Sequence, residues 1–161
     1  MHGRAGTGTA IRTACLAAAI LSLAATALAE FRGHGGPVRA LAMAADGRTL
    51  VSGSFDETVI RWSLDRNAAE GVQRFHAGAV NAVVALADGR FASAGEDARV
   101  AIWRDGAGAP ETVLTGHGAP VVALAAAPDG RWLASASWDR TIRIWPLDGG
   151  APRVLEGHQD N

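Results

Sequence analysis

Histidine, serine and aspartate recur in this chain at a fixed spacing. The histidines His34, His76, His117 and His158 are 42, 41 and 41 residues apart, and each of the first three is followed by a serine, an aspartate and a tryptophan. Serine, histidine and aspartate together form hydrolytic triads, in which the histidine activates the serine and the aspartate orients the histidine. Histidine and aspartate are also common metal ligands. The first question is therefore whether these residues form a catalytic or a metal site.

Their repetition favours a structural role. One active site needs one triad, whereas here each of three copies would contain one, and the chain has no Gly-x-Ser-x-Gly sequence to expose a nucleophile. Histidines separated by a whole repeat lie too far apart to share one metal ion. Asp46, Asp88 and Asp129 each precede a glycine and are interpreted as turn residues rather than acid catalysts. We therefore expect no catalytic residue, no metal site and no cofactor.

The residues between the histidines predict four β-strands per copy. Each copy begins with two strand-like stretches on either side of Asp-Gly, a pair that favours a tight hairpin because both residues tolerate a positive φ. A second turn with an aspartate precedes β-branched residues that end in tryptophan. The predicted strands are 38–43, 49–54, 59–62 and 71–75, then 80–86, 91–95, 100–103 and 111–115, then 121–126, 132–137, 142–145 and 153–156.

These motifs resemble the WD-repeat β-propeller family. The first copy contains Gly33-His34, Asp46-Gly47, Leu50-Val51-Ser52-Gly53-Ser54, Asp56 and Ile60-Arg61-Trp62, and the third repeats this order from Gly116-His117 to Trp145. The second copy departs with Phe75-His76 in place of Gly-His. The residues after the tryptophans are Ser63, Arg104 and Pro146, where the family often has aspartate.

The resemblance covers about residues 31–161 and implies an all-β fold built of propeller blades, each a sheet of four antiparallel strands. The repeats span about 31–64, 73–105 and 113–147, and a fourth begins at 155. Because propellers close with about four to eight blades, we expect an incomplete ring and interpret the chain as a truncated fragment. The alternative is that two or more copies self-associate to close the ring.

The resemblance also implies a buried hydrogen-bond set in each blade. Such a set ties the loop before the first strand to the turn after the second, since a buried aspartate needs hydrogen-bond donors and a histidine supplies one. The predicted sets are His34, Ser52, Asp56 and Trp62, then His76, Ser93, Asp97 and Trp103, then His117, Ser135, Asp139 and Trp145. The alternative serine column reads Ser54, Gly95 and Ser137.

Partners of the family usually dock near the central channel, on the residue before the turn aspartate and on those that open the first strand. The matching positions here are Phe55, Glu96 and Trp138, with Arg39, Asn81 and Val122. Exposed aromatic side chains are enriched at protein interfaces. The alternative is that Phe55 and Trp138 pack against the neighbouring blade.

Residues 1–29 have the pattern of a secretory signal peptide. Arg4 and Arg12 precede an apolar run at 14–28, and Ala27-Leu28-Ala29 offers small residues for cleavage before Glu30. The run is shorter than the roughly 20 residues that a spanning helix needs, so we expect no membrane span after cleavage. This pattern predicts a periplasmic or secreted protein.

Composition excludes several classes of function. The 15 basic residues are all arginine, they are balanced by 16 acidic residues, and they form no basic run, so we expect no nucleic-acid partner. Cys15 is the one cysteine, which excludes disulfides and Cys-x-x-Cys-His haem attachment in residues 30–161. The sequence therefore favours a non-catalytic scaffold for a protein or peptide partner. The alternative is the N-terminal sensor or binding part of a longer fusion whose active domain, for example a c-type haem domain, lies beyond residue 161.

Overall fold

The computed structural model describes residues 30–159, and within them the chain folds into twelve strands and no helix. The predicted signal peptide at 1–29 lies outside the described residues. The strands are β1 Val38–Met43, β2 Thr49–Ser54, β3 Thr58–Ser63, β4 Ala68–Arg74, β5 Val80–Ala85, β6 Phe91–Gly95, β7 Val100–Trp103, β8 Thr112–Leu114, β9 Val121–Ala126, β10 Trp132–Ser137, β11 Ile142–Pro146 and β12 Arg153–Leu155.

Consecutive strands pair into three separate antiparallel sheets, β1 to β4, β5 to β8 and β9 to β12, which we call the first, second and third blades. The all-β class and the three four-stranded blades are confirmed, and across residues 30–159 the row of blades does not close into a ring. The first strand of each blade carries one extra residue relative to its partner strand. These bulged residues are Arg39, Asn81 and Val122. A bulge redirects side chains at a strand end, so these residues leave the regular alternation.

The turns differ in detail from the predicted tight hairpins. In the turn between β1 and β2, Gly47 has a φ of 65°, while Asp46 keeps an ordinary backbone and accepts hydrogen bonds from the amides of Arg48 (2.8 Å) and Thr49 (2.9 Å). The loop is therefore longer than two residues, and the aspartate is an acceptor rather than a positive-φ residue. In the second turn, the residue after the aspartate takes the positive φ, which the sequence did not indicate. These residues are Glu57, Ala98 and Arg140.

The outer strands fit their predicted bounds least well. β4 begins at Ala68, three residues before the predicted start, whereas β8 is shorter at both ends than the predicted 111–115. Their residues are mostly exposed or half-buried, so little hydrophobic patterning marks where they begin and end.

The blades pack face to face through two hydrophobic clusters. Between the first and second blades, Val51 and Val59 meet Val80, Phe91 and Trp103. A second cluster joins the second blade to the third, and its residues include Ala92, Val100, Ile102, Val121, Leu133 and Trp145. The tryptophan of a blade therefore faces the preceding blade.

In the first blade, Phe31 takes part in covering the tryptophan. Its ring lies edge-on to Trp62, with the ring centroids 5.2 Å apart.

Residues 30–159 contain no helix that is long and apolar enough to cross a bilayer.

Candidate functional site

A chain of hydrogen bonds crosses the interior of each blade, and the second blade shows it most fully buried. The indole N–H of Trp103 donates to Oγ of Ser93 at 2.9 Å, and Nε2 of His76 lies 2.8 Å from the same oxygen. Nδ1 of His76 lies 3.0 Å from the carboxylate of Asp97. A neutral imidazole satisfies all three contacts when its Nδ1–H donates to the aspartate and its Nε2 accepts the serine hydroxyl.

The first and third blades repeat this arrangement. His34 Nε2 and Trp62 Nε1 both lie 2.7 Å from Oγ of Ser52, and His34 Nδ1 lies 3.1 Å from Asp56. In the third blade, His117 lies 2.7 Å from both Ser135 and Asp139, and Trp145 donates to Ser135 at 2.8 Å. The structure thus brings together the residues of each predicted set. His158, at the start of the fourth repeat, is exposed.

The aspartates have further donors that sequence reasoning missed. Thr58 donates its hydroxyl (2.6 Å) and its amide (3.0 Å) to Asp56, and Thr141 does the same to Asp139. The second blade has Arg99 at this position, and its guanidinium reaches Asp97 at 2.9 Å. The sequence contained a signal for the threonine donors, because Asp-x-Thr occurs in both the first and the third copies. The amide that follows each histidine also donates to the aspartate.

Hydrogen bonding sets the ionisation of these carboxyl groups. Burial alone would raise the pKa of Asp97, but the hydrogen bonds from His76 and from the amide of Ala77 outweigh it and lower the pKa from 3.8 to about 2. Burial opposes the shift in Asp56 and Asp139 as well, and the threonine and backbone donors lower both pKa values below the ordinary range. All three aspartates are therefore ionised at neutral pH.

The alternative serine position of the repeat makes a different hydrogen bond in two of the blades. Ser54 donates to the carbonyl of Gly36 (3.1 Å), and Ser137 donates to that of Ala119 (2.9 Å). The second blade has Gly95 here, where an added Cβ would lie 2.6 Å from the carbonyl oxygen of Ala79. In the second blade the backbone of Ala79 therefore lies too close to residue 95 for a side chain to fit there.

The Ser-His-Asp geometry resembles a hydrolytic triad, but the serines are closed to substrate. Ser52, Ser93 and Ser135 are at most 2% exposed. Each serine oxygen already accepts an indole N–H from the tryptophan that covers it. A nucleophile must reach a substrate carbonyl beside oxyanion donors, and a buried, capped hydroxyl has no such path. The hydrogen bonds of these side chains fix the turn against the sheet.

No group of three or more histidine, cysteine, aspartate or glutamate side chains is placed to hold a metal ion in residues 30–159. The three histidines sit in separate blades, and each has both ring nitrogens engaged within its own blade.

The candidate partner positions lie at one end of the blades, beside the turn aspartates. Phe55 is 47% exposed and Trp138 is 53% exposed, and Glu96 at the equivalent position of the second blade is exposed as well. The guanidinium of Arg39 lies over the Phe55 ring, 5.0 Å from its centroid. We call these four residues the blade-end surface. About half of each of these two aromatic side chains is exposed to solvent.

Asn81 does not belong to this surface, although its position suggested a partner contact. It is buried, and its amide donates to the carbonyl of Val121 in the next blade at 3.0 Å. The bulge in β5 turns the side chain toward the third blade. Val122, at the equivalent position, is half-buried.

The chain is similar to proteins built from one repeat family. Residues 25–63, 70–104 and 108–146 each match the family model described as "WD domain, G-beta repeat". Human coronin-7 is 49% identical over 80 residues, which cover 44% of this chain and 9% of coronin-7. The ribosome biogenesis protein YTM1 of Candida glabrata is 34% identical over 128 residues, covering 67% of this chain and 28% of YTM1.

A third relative is matched over more of this chain. Subunit 5 of the transcription initiation factor TFIID from Caenorhabditis elegans is 28% identical over 135 residues, which cover 83% of this chain and 21% of the subunit. The chain thus spans less than a third of the length of each of these three relatives.

Proposed function

The chain belongs to the WD40 family of G-beta repeat proteins, and we propose that it is a non-catalytic scaffold that binds a protein or peptide partner on its blade-end surface. The observation that carries the proposal is the exposure of Phe55 and Trp138 at equivalent positions of two blades, with Glu96 exposed at the same position between them.

The chemistry of this surface suits a polypeptide partner. Two half-exposed aromatic rings provide apolar area that is unfavourable in water and favourable in a contact. Arg39 adds a positive charge over the Phe55 ring, and Glu96 adds a negative charge at the equivalent turn of the second blade. Because each blade contributes one turn, a partner that lies across the blades meets three side chains in succession.

The absence of catalysis is part of the proposal and rests on the burial of the serines. Ser52, Ser93 and Ser135 are the nucleophile candidates with an adjacent histidine, and none of them is open to a substrate. Hydrolysis of a chromogenic ester by the purified protein, lost in Ser93→Ala without unfolding, would contradict this part of the proposal.

We also propose that the protein is exported to the periplasm or outside the cell. The support is the pattern of residues 1–29, with arginines before an apolar run and small residues before Glu30. Sequencing the N-terminus of the protein recovered from its source tests this: a first residue of Glu30 supports export, and an intact Met1 in a cytoplasmic fraction contradicts it.

Two further roles remain as candidates. The open sheet faces at the two ends of the row favour association with another copy of the chain. The second candidate is that the blades form the binding part of a longer fusion, with an active domain such as a c-type haem domain after residue 161. Reading the gene beyond codon 161 tests this: a Cys-x-x-Cys-His sequence there would support the fusion.

The partner site is tested by cross-linking in an extract of the source organism, followed by mapping of the cross-linked residues. We expect cross-links at the turns that carry Phe55 and Trp138, and we expect the double variant Phe55→Ser/Trp138→Ser to lose most of the partner. Val113→Ser is the matched control, since Val113 is 38% exposed but lies on an outer strand. Equal capture by the double variant and the control would overturn the proposed site.

A further inference from the structure

Five aspartates of this chain are followed directly by glycine, and this pair is chemically reactive. They are Asp46, Asp88, Asp105, Asp129 and Asp148. Glycine has no Cβ to shield its backbone nitrogen, so this nitrogen can attack the side-chain carboxyl group of the preceding aspartate. We infer that Asp105 is a modification site, which forms a cyclic imide and then isoaspartate in the folded protein, while the fold protects the other four aspartates.

The reaction needs only water and involves no change of oxidation state. The amide nitrogen of Gly106 forms a bond to Cγ of Asp105, and the amide hydrogen leaves with the carboxyl OH as water, which closes a five-membered imide. A second water molecule then opens the ring. Opening at the side-chain carbonyl restores aspartate. Opening at the backbone carbonyl carries the main chain through the side chain and gives isoaspartate of the same mass.

The glycine nitrogen is engaged in four of the five pairs. In each of these the glycine N–H donates to the carbonyl of the residue three places earlier, and the nitrogen must leave this hydrogen bond before it can attack. The distances are 3.0 Å for Gly47, 3.2 Å for Gly89, 2.9 Å for Gly130 and 3.4 Å for Gly149.

The carboxylates of the same four pairs are also held. Each accepts a hydrogen bond from the amide of the residue two places later, and this bond is the main cause that lowers the pKa of Asp46 and of Asp129. An ionised carboxylate resists a nucleophile. The donating amides are those of Arg48 at 2.8 Å, Arg90 at 3.1 Å, Arg131 at 3.0 Å and Gly150 at 3.1 Å.

Asp105 occupies a different place in its turn. The turn hydrogen bond runs from the amide of Ala107 to the carbonyl of Arg104 at 3.2 Å, so Asp105 and Gly106 are the two central residues. Within residues 30–159 the N–H of Gly106 therefore has no protein acceptor, and no backbone amide donates to the carboxylate of Asp105. Both residues are exposed, so water reaches them.

The modification would change a contact between blades. Arg61 of the first blade forms an ion pair with Oδ1 of Asp105 in the second. Isoaspartate carries its carboxylate on the α-carbon and adds one carbon to the main chain, so the carboxylate moves away from Arg61. The blade-end surface takes no part in this chemistry.

Peptide mapping of the folded 161-residue protein after storage at neutral pH tests the inference. Electron-transfer fragmentation distinguishes isoaspartate from aspartate, and water enriched in ¹⁸O labels each residue that has passed through the imide. We expect isoaspartate at Asp105 to accumulate at least about tenfold faster than at any of the other four sites, because only this pair is free of the turn hydrogen bonds. In the chain unfolded by guanidinium chloride, the five sites should react at similar rates.

Asp105→Asn and Asp148→Asn are a matched pair of variants, since each residue follows the third strand of a blade and precedes a glycine. Asparagine reacts through the same attack but releases ammonia, so the change in mass reports the rate. Asp105→Asn should react at least about tenfold faster than Asp148→Asn.

Circular dichroism of both variants verifies the fold. Isoaspartate that forms at Asp105 no faster than at the other four sites of the folded protein, or equal rates in the two variants, would overturn the inference.

Discussion

The indole N–H of Trp103 donates to Oγ of Ser93 across 2.9 Å, and the two side chains are 1% and 0% exposed. The ring of this tryptophan packs in the cluster between the first and second blades, while its N–H holds the serine that accompanies His76. One residue thus joins the apolar contact between blades to the polar contacts inside a blade. The same relationship holds for Trp145 and Ser135.

Ser93→Ala should destabilise the fold while leaving the backbone unchanged. The substitution leaves the Trp103 N–H and His76 Nε2 without their buried partner, a loss that costs about 1–3 kcal/mol. The free energy of unfolding in urea measures it. Ser63→Ala is the control, because Ser63 lies at the end of β3 and accepts one loop amide, and its loss should cost less than about 1 kcal/mol. Equal effects at the two serines would show that the buried set contributes no special stability.

Stability should fall as the pH drops below about 4. The pKa of Asp97 is lowered from 3.8 to about 2 in the folded protein, and those of Asp56 and Asp139 are lowered too. The unfolded chain therefore binds more protons in this range, so the stabilisation is complete above the unfolded pKa and is lost as pH falls through the folded one. Urea midpoints measured from about pH 5 to about pH 2 provide the test. A midpoint that stays constant or rises over that range would contradict the assignment.

Gly53→Ala should destabilise the contact between the first two blades. The added methyl would lie 2.6 Å from Cγ1 of Val80, a fully buried side chain, so the blades must move apart at a cost of roughly 1–3 kcal/mol. Gly108→Ala is the matched control, since nothing lies within 4 Å of its added methyl. Thermal unfolding compares the two variants. Similar melting temperatures for both would mean that the blades pack less closely than described.

Arg61 and Asp105 form an ion pair between the first two blades, whereas Ile102 and Leu147 pack in an apolar cluster at the equivalent place between the second and third. Exchanging the ion pair for an apolar pair should reveal energetic coupling between the two positions. Arg61→Ile/Asp105→Leu should be more stable than the sum of its two single variants predicts, by roughly 0.5–1 kcal/mol. The reason is that each single variant leaves one charged partner beside an apolar side chain, whereas loss of the Arg61–Glu70 ion pair is common to Arg61→Ile and the double variant and cancels in the comparison. A double-mutant cycle in urea measures this coupling. Strict additivity would show that the two positions do not interact.

The strands that face a neighbouring blade could be predicted closely from the sequence, and the outer strands less well. β1, β2 and β7 have the predicted bounds because alternating or β-branched apolar residues end at clear turn residues. β4 and β8 are mostly exposed, so burial imposes little pattern on them.

The hydrogen-bonded set in each blade could be predicted from the regular spacing of histidine, serine, aspartate and tryptophan. Other contacts of these blades depend on local backbone geometry and could not. Thr58 and Thr141 were missed because they reach the aspartate across a turn whose positive φ falls on Glu57 and Arg140. Asn81 was expected at the surface, but the bulge in β5 directs it toward Val121. The Asn81 contact involves one neighbouring blade and leaves no periodic signal, whereas the threonines recur as Asp-x-Thr in the first and third copies.

Each blade is held by a directed chain of hydrogen bonds from tryptophan through serine and histidine to aspartate. The ¹⁵N spectrum of the histidine rings at neutral pH tests this arrangement. We expect the rings of His34, His76 and His117 to carry a proton on Nδ1, and we expect these N–H protons to exchange slowly with water. Rings protonated only at Nε2, or N–H protons that exchange as fast as those of an exposed histidine, would contradict this arrangement.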